Sequence, residues 1–208
     1  MGSEMCIRDS DDSAYMSKTF ASAGNRKTWS LSFWWKRGNL SSVANKRQIL
    51  FRGGTFSFYS NHNSSTIDGI NFSYTATAND LQTTQVFRDP SAWYHIVVNM
   101  DTSNPITPER VRLYVNGSRV NTSDYPPTNV DISLSPNFRI GRDPDINYAN
   151  QTQQFNFAFG SFDLAELLTF SIPLHDAERE KVEGYIAHKF KLTALLPASH
   201  PYKNTVPS

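Results

Sequence analysis

The chain has 208 residues, with 20 basic and 19 acidic side chains and a formal net charge of +1. That balance supplies no basic surface for nucleic acid or an anionic membrane, so neither is expected as a partner. No run approaches the roughly 18 apolar residues of a membrane span, so membrane insertion is not expected either. A single cysteine, Cys6, excludes an intrachain disulfide, and the length suffices to bury a core without a metal or disulfide staple.

The opening MGSEMCIRDS has no periodicity. Its stretch Met5–Ser10 resembles a translated sequencing-adaptor read of the kind found in metagenomic gene predictions, the alternative being a disordered leader. Residues 1–10 are therefore expected to contribute nothing to the fold, Cys6 is given no chemical role, and residues 11–208 form one domain. No basic stretch followed by an apolar segment marks a secretory signal.

Residues 28–37, TWSLSFWWKR, alternate as a strand, with Trp29, Leu31, Phe33 and Trp35 on one face and Trp34 on the other. Further strands are predicted at Gln48–Arg52, Thr55–Tyr59, Gly69–Tyr74 and Gln82–Arg88, with Gly53-Gly54 as a tight turn and Asn61–Asp68 as a polar loop. Ala92–Asp101 and Arg110–Val115 are rich in β-branched and aromatic residues. The second ends at Asn116-Gly117, a two-residue hairpin signal because both positions tolerate positive φ, and Ser118–Val120 begins the return. Phe138–Gly141 is a short strand, Asp143–Gln154 a polar loop, and Phe155–Phe170 a strand region split near Gly160-Ser161.

The one helix is predicted at about 175–191, with Val182, Tyr185, Ile186 and Phe190 on its buried face. Asp176, Glu178, Glu180 and Glu183 form a solvated acidic face, and Lys189 and Lys191 complement the dipole at the other end. Gly184 costs a helix about 1 kcal/mol relative to alanine, which points to close contact with a sheet. The tail from 197 to 208 is expected to run extended over the surface. Many short strands with polar turns and one late helix define an all-β sandwich of two antiparallel sheets with one C-terminal α-helix.

Trp93-Tyr94-His95-Ile96-Val97-Val98, followed by Arg112-Leu113-Tyr114-Val115-Asn116-Gly117, resembles the laminin G/pentraxin-type signature of the concanavalin A-like superfamily. Phe138-Arg139-Ile140-Gly141 and Phe162-Asp163-Leu164-Ala165-Glu166-Leu167 resemble two later strands of that family. Ser13–Met16, Ser22–Trp29 and Trp35–Gly38 are similar to a segment of marine tailed-phage structural proteins with laminin G-like domains. The run from Leu174 through Glu183–Lys189 to Leu196-Pro197 and His200–Tyr202 resembles an ending found on such domains in marine bacteria and their phages. The resemblance implies a concanavalin A-like jelly roll.

Laminarinase-type glucanases share that fold and carry carboxylates at a spacing of two on one strand face. Here Asp163 and Glu166 stand three apart, which on a regular strand places them on opposite faces and predicts no catalytic pair. His62, His95, His175, His188 and His200 show no metal-ligand spacing, and His95 reads as a half-buried strand residue. Many relatives bind calcium at the rim, and Asp143 and Asp145 are the candidate ligands here, although their loop lacks a calcium-loop pattern. Saccharide binding needs aromatic faces beside amides and hydroxyls, and Trp34, Tyr59, Tyr74 and Tyr94 are the candidate contacts.

The expectation is a non-enzymatic laminin G-like domain of a virion tail, fibre or particle surface, displayed in multiple copies. It would bind host-surface glycan or other virion proteins. The alternatives are a bacterial secreted or cell-surface carbohydrate-binding module, a diverged glycoside hydrolase or lyase, and a purely structural virion protein.

Overall fold

The computed structural model describes residues 5–7, 16–19, 21, 24–38, 47–53, 56–60, 68–74, 80–122, 125–132, 137–140, 157–159 and 162–208. The strands in chain order are β1 (Met5–Ile7), β2 (Met16–Thr19), β3 (Thr28–Arg37), β4 (Arg47–Gly53), β5 (Phe56–Ser60) and β6 (Gly69–Ser73). They continue as β7 (Asp80–Val86), β8 (Trp93–Asp101), β9 (Val111–Val115), β10 (Ser118–Val120), β11 (Asn137–Ile140), β12 (Phe157–Phe159) and β13 (Phe162–Phe170), followed by α1 (Asp176–Lys189). One sheet runs β1-β13-β3-β8-β9-β10 and the other β2-β11-β4-β5-β6-β7. Both sheets are antiparallel along these orders, as expected, and the short β12, off this path, runs parallel to β4.

Alternation in β3 sets the layers. Trp29, Leu31, Phe33 and Trp35 turn into the space between the sheets, where they join Phe51, Phe56, Phe58 and Phe72. The rings meet edge to face, Phe33–Phe51 at 4.6 Å and Trp29–Phe56 at 5.1 Å between centroids. Such pairs add about 0.5–1.5 kcal/mol each beyond the area they bury. Trp29 also donates its indole N–H to the Ile132 carbonyl at 3.0 Å, so its one polar atom is satisfied in the core. A bridge between Thr83 and Thr122 ties the β7 edge of one sheet to the chain just after β10 in the other.

The Asn116-Gly117 hairpin forms as expected, with φ of 50° and 79° at the two positions. Elsewhere the structure differs from expectation. Met5–Ile7 pairs with Phe162–Leu164 as an edge strand, although the first ten residues were expected to stand outside the fold. Main-chain pairing at an open edge accepts an extended segment whatever its side chains, so residue patterning gives no signal for it.

The helix packs Ile186, Val182 and Phe190 against the sheet as the apolar spacing predicts, but not Tyr185, and its buried face also takes in charged residues. Its buried residues are Arg179, Glu183, Gly184, Ile186 and Ala187, whereas Tyr185 is exposed. Glu183 thus leaves the solvated acidic face and becomes a core residue. The tail is not extended. It folds through a 3-10 turn at Thr193–Leu195 and further turns, with His200 N–H on the Pro197 carbonyl and Lys203 N–H on that of His200. Gly184 faces this tail rather than a sheet, because a Cβ there would overlap the Tyr202 side chain.

Candidate functional site

The sandwich has two outer faces, and their chemistry differs. On the β13-β3-β8 sheet, Trp34 and Ala165 point outward and are covered by Ile186 and Ala187 of α1 and by Leu196 of the tail. Arg179 stacks on the Tyr114 ring at 4.1 Å and donates to Glu183 at 2.6 Å, and the same carboxylate oxygen meets His200 Nε2 at 3.1 Å. Burial pushes the Glu183 carboxyl up, while Arg179 and then His200 pull it down. His95 is fully buried beside Trp34, not half-buried as expected. Desolvation, with lesser repulsion from His200 and Arg179, lowers its imidazole pKa to about 3.

Ser32 Oγ lies 2.9 Å from His95 Nε2, the contact a nucleophile makes with its base. Both residues are fully buried, and among the described residues His95 Nδ1 has no carboxylate or other partner to orient it. The pair is therefore a core hydrogen bond without the third member that such catalysis uses.

Asp163 and Glu166 sit differently from the alternation argument. A bulge between Ala165 and Leu167 breaks the β13 register, with Glu166 at φ 45°. An extra residue resets the facing, so a spacing of three no longer separates the two side chains. Each is engaged separately, Asp163 with Lys36 at 2.9 Å and Glu166 with Lys189 at 2.5 Å.

The aromatic candidates are not brought together. Trp34 is buried under α1, so its ring has no open face. Tyr74 belongs to the inter-sheet core, and its hydroxyl donates to the Tyr125 carbonyl at 3.2 Å. Tyr94 is half-buried at the rim between Phe87, 5.0 Å away, and Trp35, 5.8 Å away, and desolvation raises its phenol pKa. For Trp34 and Tyr74 the stacking role is corrected by burial. Tyr59 lies on the outer face of the other sheet and is itself buried. Asp143 and Asp145 lie outside the described residues. Among the described residues no group of three His, Cys, Asp or Glu could hold a metal ion.

That second outer face was not singled out from the sequence. In β5 and β6 the core takes Phe56, Phe58, Ile70 and Phe72, which turns Ser57, Tyr59, Asn71 and Ser73 outward. The register aligns them in two rows: Tyr59 opposite Asn71 and Asn71 opposite Gln82, then Arg52 opposite Ser57 and Ser57 opposite Ser73. Ser57, Tyr59, Asn71 and Ser73 are 0–7% exposed, while Arg52 and Gln82 at the row ends are half-exposed. Both amide atoms of Asn71 are buried without a hydrogen-bond partner among the described residues. The only signal in the sequence is that polar residues alternate with aromatic ones in FSFYS and GINFS.

A sandwich of two antiparallel sheets is an architecture that jelly rolls share, lectin and viral capsid domains among them. The family model described as the concanavalin A-like lectin/glucanases superfamily matches residues 9–176, and the chain belongs to that family. No curated protein matches the chain. Among solved structures, a native heptameric SAP-like pentraxin from Limulus polyphemus superposes with a TM-score of 0.55 at 14% identity, covering 81% of this chain and 75% of that one. A candidate carbohydrate-binding protein from Bacteroides ovatus gives 0.55 at 15% identity, covering 79% and 43%. The binding domain of botulinum neurotoxin DC, solved with rat synaptotagmin II, gives 0.51 at 10% identity, covering 81% and 41%. The chain thus spans less than half the length of the last two, and at these identities the likeness is one of fold.

Proposed function

We propose that this domain binds carbohydrate non-covalently. The observation that carries the reading is that the chain belongs to the concanavalin A-like lectin/glucanases superfamily. Of the two outer faces, one is closed by α1 and the tail, and the other is lined by two rows of hydroxyl, amide and guanidinium side chains, of which Ser57, Tyr59, Asn71 and Ser73 are buried. The pentraxin-like fold supports the same reading. The role is binding rather than turnover, because Asp163 and Glu166 are each held in a separate ion pair and Ser32–His95 is buried.

The setting we propose is a virion tail, fibre or particle surface. Its support is the resemblance of Ser13–Met16, Ser22–Trp29 and Trp35–Gly38 to structural proteins of marine tailed phages, and of the run from Leu174 to Tyr202 to an ending found in marine bacteria and their phages. Many copies per particle would turn weak single-site contacts into avidity. Calcium held by Asp143 and Asp145 is part of the same proposal.

The full chain on a glycan array, with calcium and with chelator, tests the binding reading. Saturable binding to one glycan class is expected, and calcium dependence would bring in the Asp143–Asp145 loop. Failure to bind any glycan under either condition would leave contact with other virion proteins as the domain's role. Gene neighbourhood tests the setting: tail and capsid genes are expected, and polysaccharide-degrading genes would make it a bacterial module.

A further inference from the structure

We infer that α1 and the tail form a cap that lifts off the β13-β3-β8 sheet in acid while the sandwich beneath stays folded, with His95 taking the proton. The cap has a small core of its own. Trp34, Ala165, Ile186, Ala187 and Leu196 form a cluster separate from the large one between the sheets. The family match ends at residue 176, where α1 begins, so the cap is not part of what defines the family. An element with few buried apolar contacts opens before the rest of a fold does.

His95 lies on the sheet side of this interface. It stands opposite Trp34 in the β3-β8 register, 5.0 Å from that ring, and is 0% exposed. Its Nε2 meets Ser32 Oγ at 2.9 Å, and its Nδ1 has no partner among the described residues. Arg179 of α1 and His200 of the tail both repel a charge on His95. The buried carboxylate among them, Glu183, is already shared by Arg179 at 2.6 Å and His200 at 3.1 Å. Further out, Tyr114 of β9 lies under Arg179, and Asp176 and Glu180 reach Arg179 at 3.6 and 3.4 Å. A second cation beneath the cap therefore has no carboxylate of its own, and lifting the cap lets water solvate it.

The sign of the linkage follows from His95. Desolvation, ahead of repulsion from His200 and Arg179, holds its imidazole at about 3 under the cap, against an ordinary 6.5. The docked cap is thus fully favoured above about pH 6.5 and loses ground as the pH falls toward 3. Between pH 7.5 and pH 5 this gap shifts the docking equilibrium by up to about thirtyfold. Glu183 opposes part of that shift, because burial raises its carboxyl and a docked cap holds that proton more readily.

Hydrogen exchange of the full chain at pH 7.5 and pH 5, read by mass spectrometry and corrected for intrinsic rates, tests the cap. Residues 176–208 are expected to lose protection by about tenfold at pH 5 while β8 and β9 keep theirs. His95→Gln retains a partner for Ser32 but takes up no proton, and should show no such acid response. Cap and β8 losing protection together, or a cap that keeps its protection at pH 5, overturns the inference. So does an equal acid response in folded His95→Gln. Wild-type tryptophan emission gives a reading that needs no variant. Uncovering Trp34 should red-shift it between pH 7.5 and pH 5 at constant far-ultraviolet circular dichroism, and an emission maximum that stays in place overturns the inference.

Discussion

Glu183 and His200 meet at 3.1 Å in the core beneath α1, joining the helix to the C-terminal tail through two buried polar side chains. The same carboxylate oxygen accepts from Arg179 at 2.6 Å, and Arg179 in turn lies on Tyr114 of β9. The three contacts couple tail, helix and sheet. Removing His200 leaves Glu183 with one donor fewer in a place water does not reach. His200→Ala is therefore expected to destabilise by about 1–3 kcal/mol. It should also make residues 197–208 the first segment cut in limited proteolysis, and an unchanged cleavage pattern would show that the tail is held without it.

His95 predicts the acid limb of the stability curve. Its folded pKa of about 3 lies below the ordinary histidine value of 6.5, so the unfolded chain binds the proton more readily. Stability is thus fully present above about pH 6.5 and falls as the pH drops toward 3. The full loss is on the order of 5 kcal/mol at about 1.4 kcal/mol per pKa unit. Glu183 works in the opposite sense, because its raised folded pKa favours proton uptake by the folded chain and offsets part of the loss. Urea midpoints measured from pH 7 to pH 4 should fall in wild type and flatten in His95→Gln. Equal slopes in the two proteins would show that another group sets the acid limb.

Gly184 looks, from helix propensity alone, like a position where alanine would add about 1 kcal/mol of stability. The structure reverses the sign. An added Cβ would overlap the Tyr202 side chain and sit 3.0 Å from Pro207 Cγ. Overpacking of this kind costs about 1–3 kcal/mol, so Gly184→Ala should lower the melting temperature. Gly117 is constrained twice, by its φ of 79° and by Pro197 Cδ, which would lie 2.9 Å from an added Cβ. Gly117→Ala should cost more than Gly184→Ala in the same measurement.

These contacts explain what the sequence could and could not reveal. The two faces of β3 and the turn at Asn116-Gly117 were legible because period-two alternation and positive φ leave direct marks in residue type. The apolar part of the buried helix face was legible too, but its charged part was not, since Arg179 and Glu183 read as solvated charges until the tail supplies His200 from 17 residues away. The β13 facing failed at Glu166 because a bulge changes register without requiring a glycine. The outer floor around Asn71 was hidden for a further reason: a polar residue alternating with phenylalanine reads as ordinary solvent exposure, and only the structure shows that it is buried.

Trp34 separates packing from binding most sharply. From the sequence it is a stacking candidate, because Trp35 claims the opposite face of the same strand. In the structure its ring is 0% exposed, 5.0 Å from His95 and packed in one cluster with Ala165, Ile186, Ala187 and Leu196. Its indole N–H is buried without a partner among the described residues, so part of the gain from burial is already offset. Truncation of a buried tryptophan to alanine costs about 3–5 kcal/mol, and the orphaned N–H places Trp34→Ala at the lower end. Trp34→Phe keeps most of the ring and removes that N–H, and should cost less than about 2 kcal/mol. Both variants should bind saccharide with wild-type affinity wherever they remain folded, since the ring is covered by α1 and the tail. A tenfold affinity loss in folded Trp34→Phe would place the binding face on the α1 side of the sandwich.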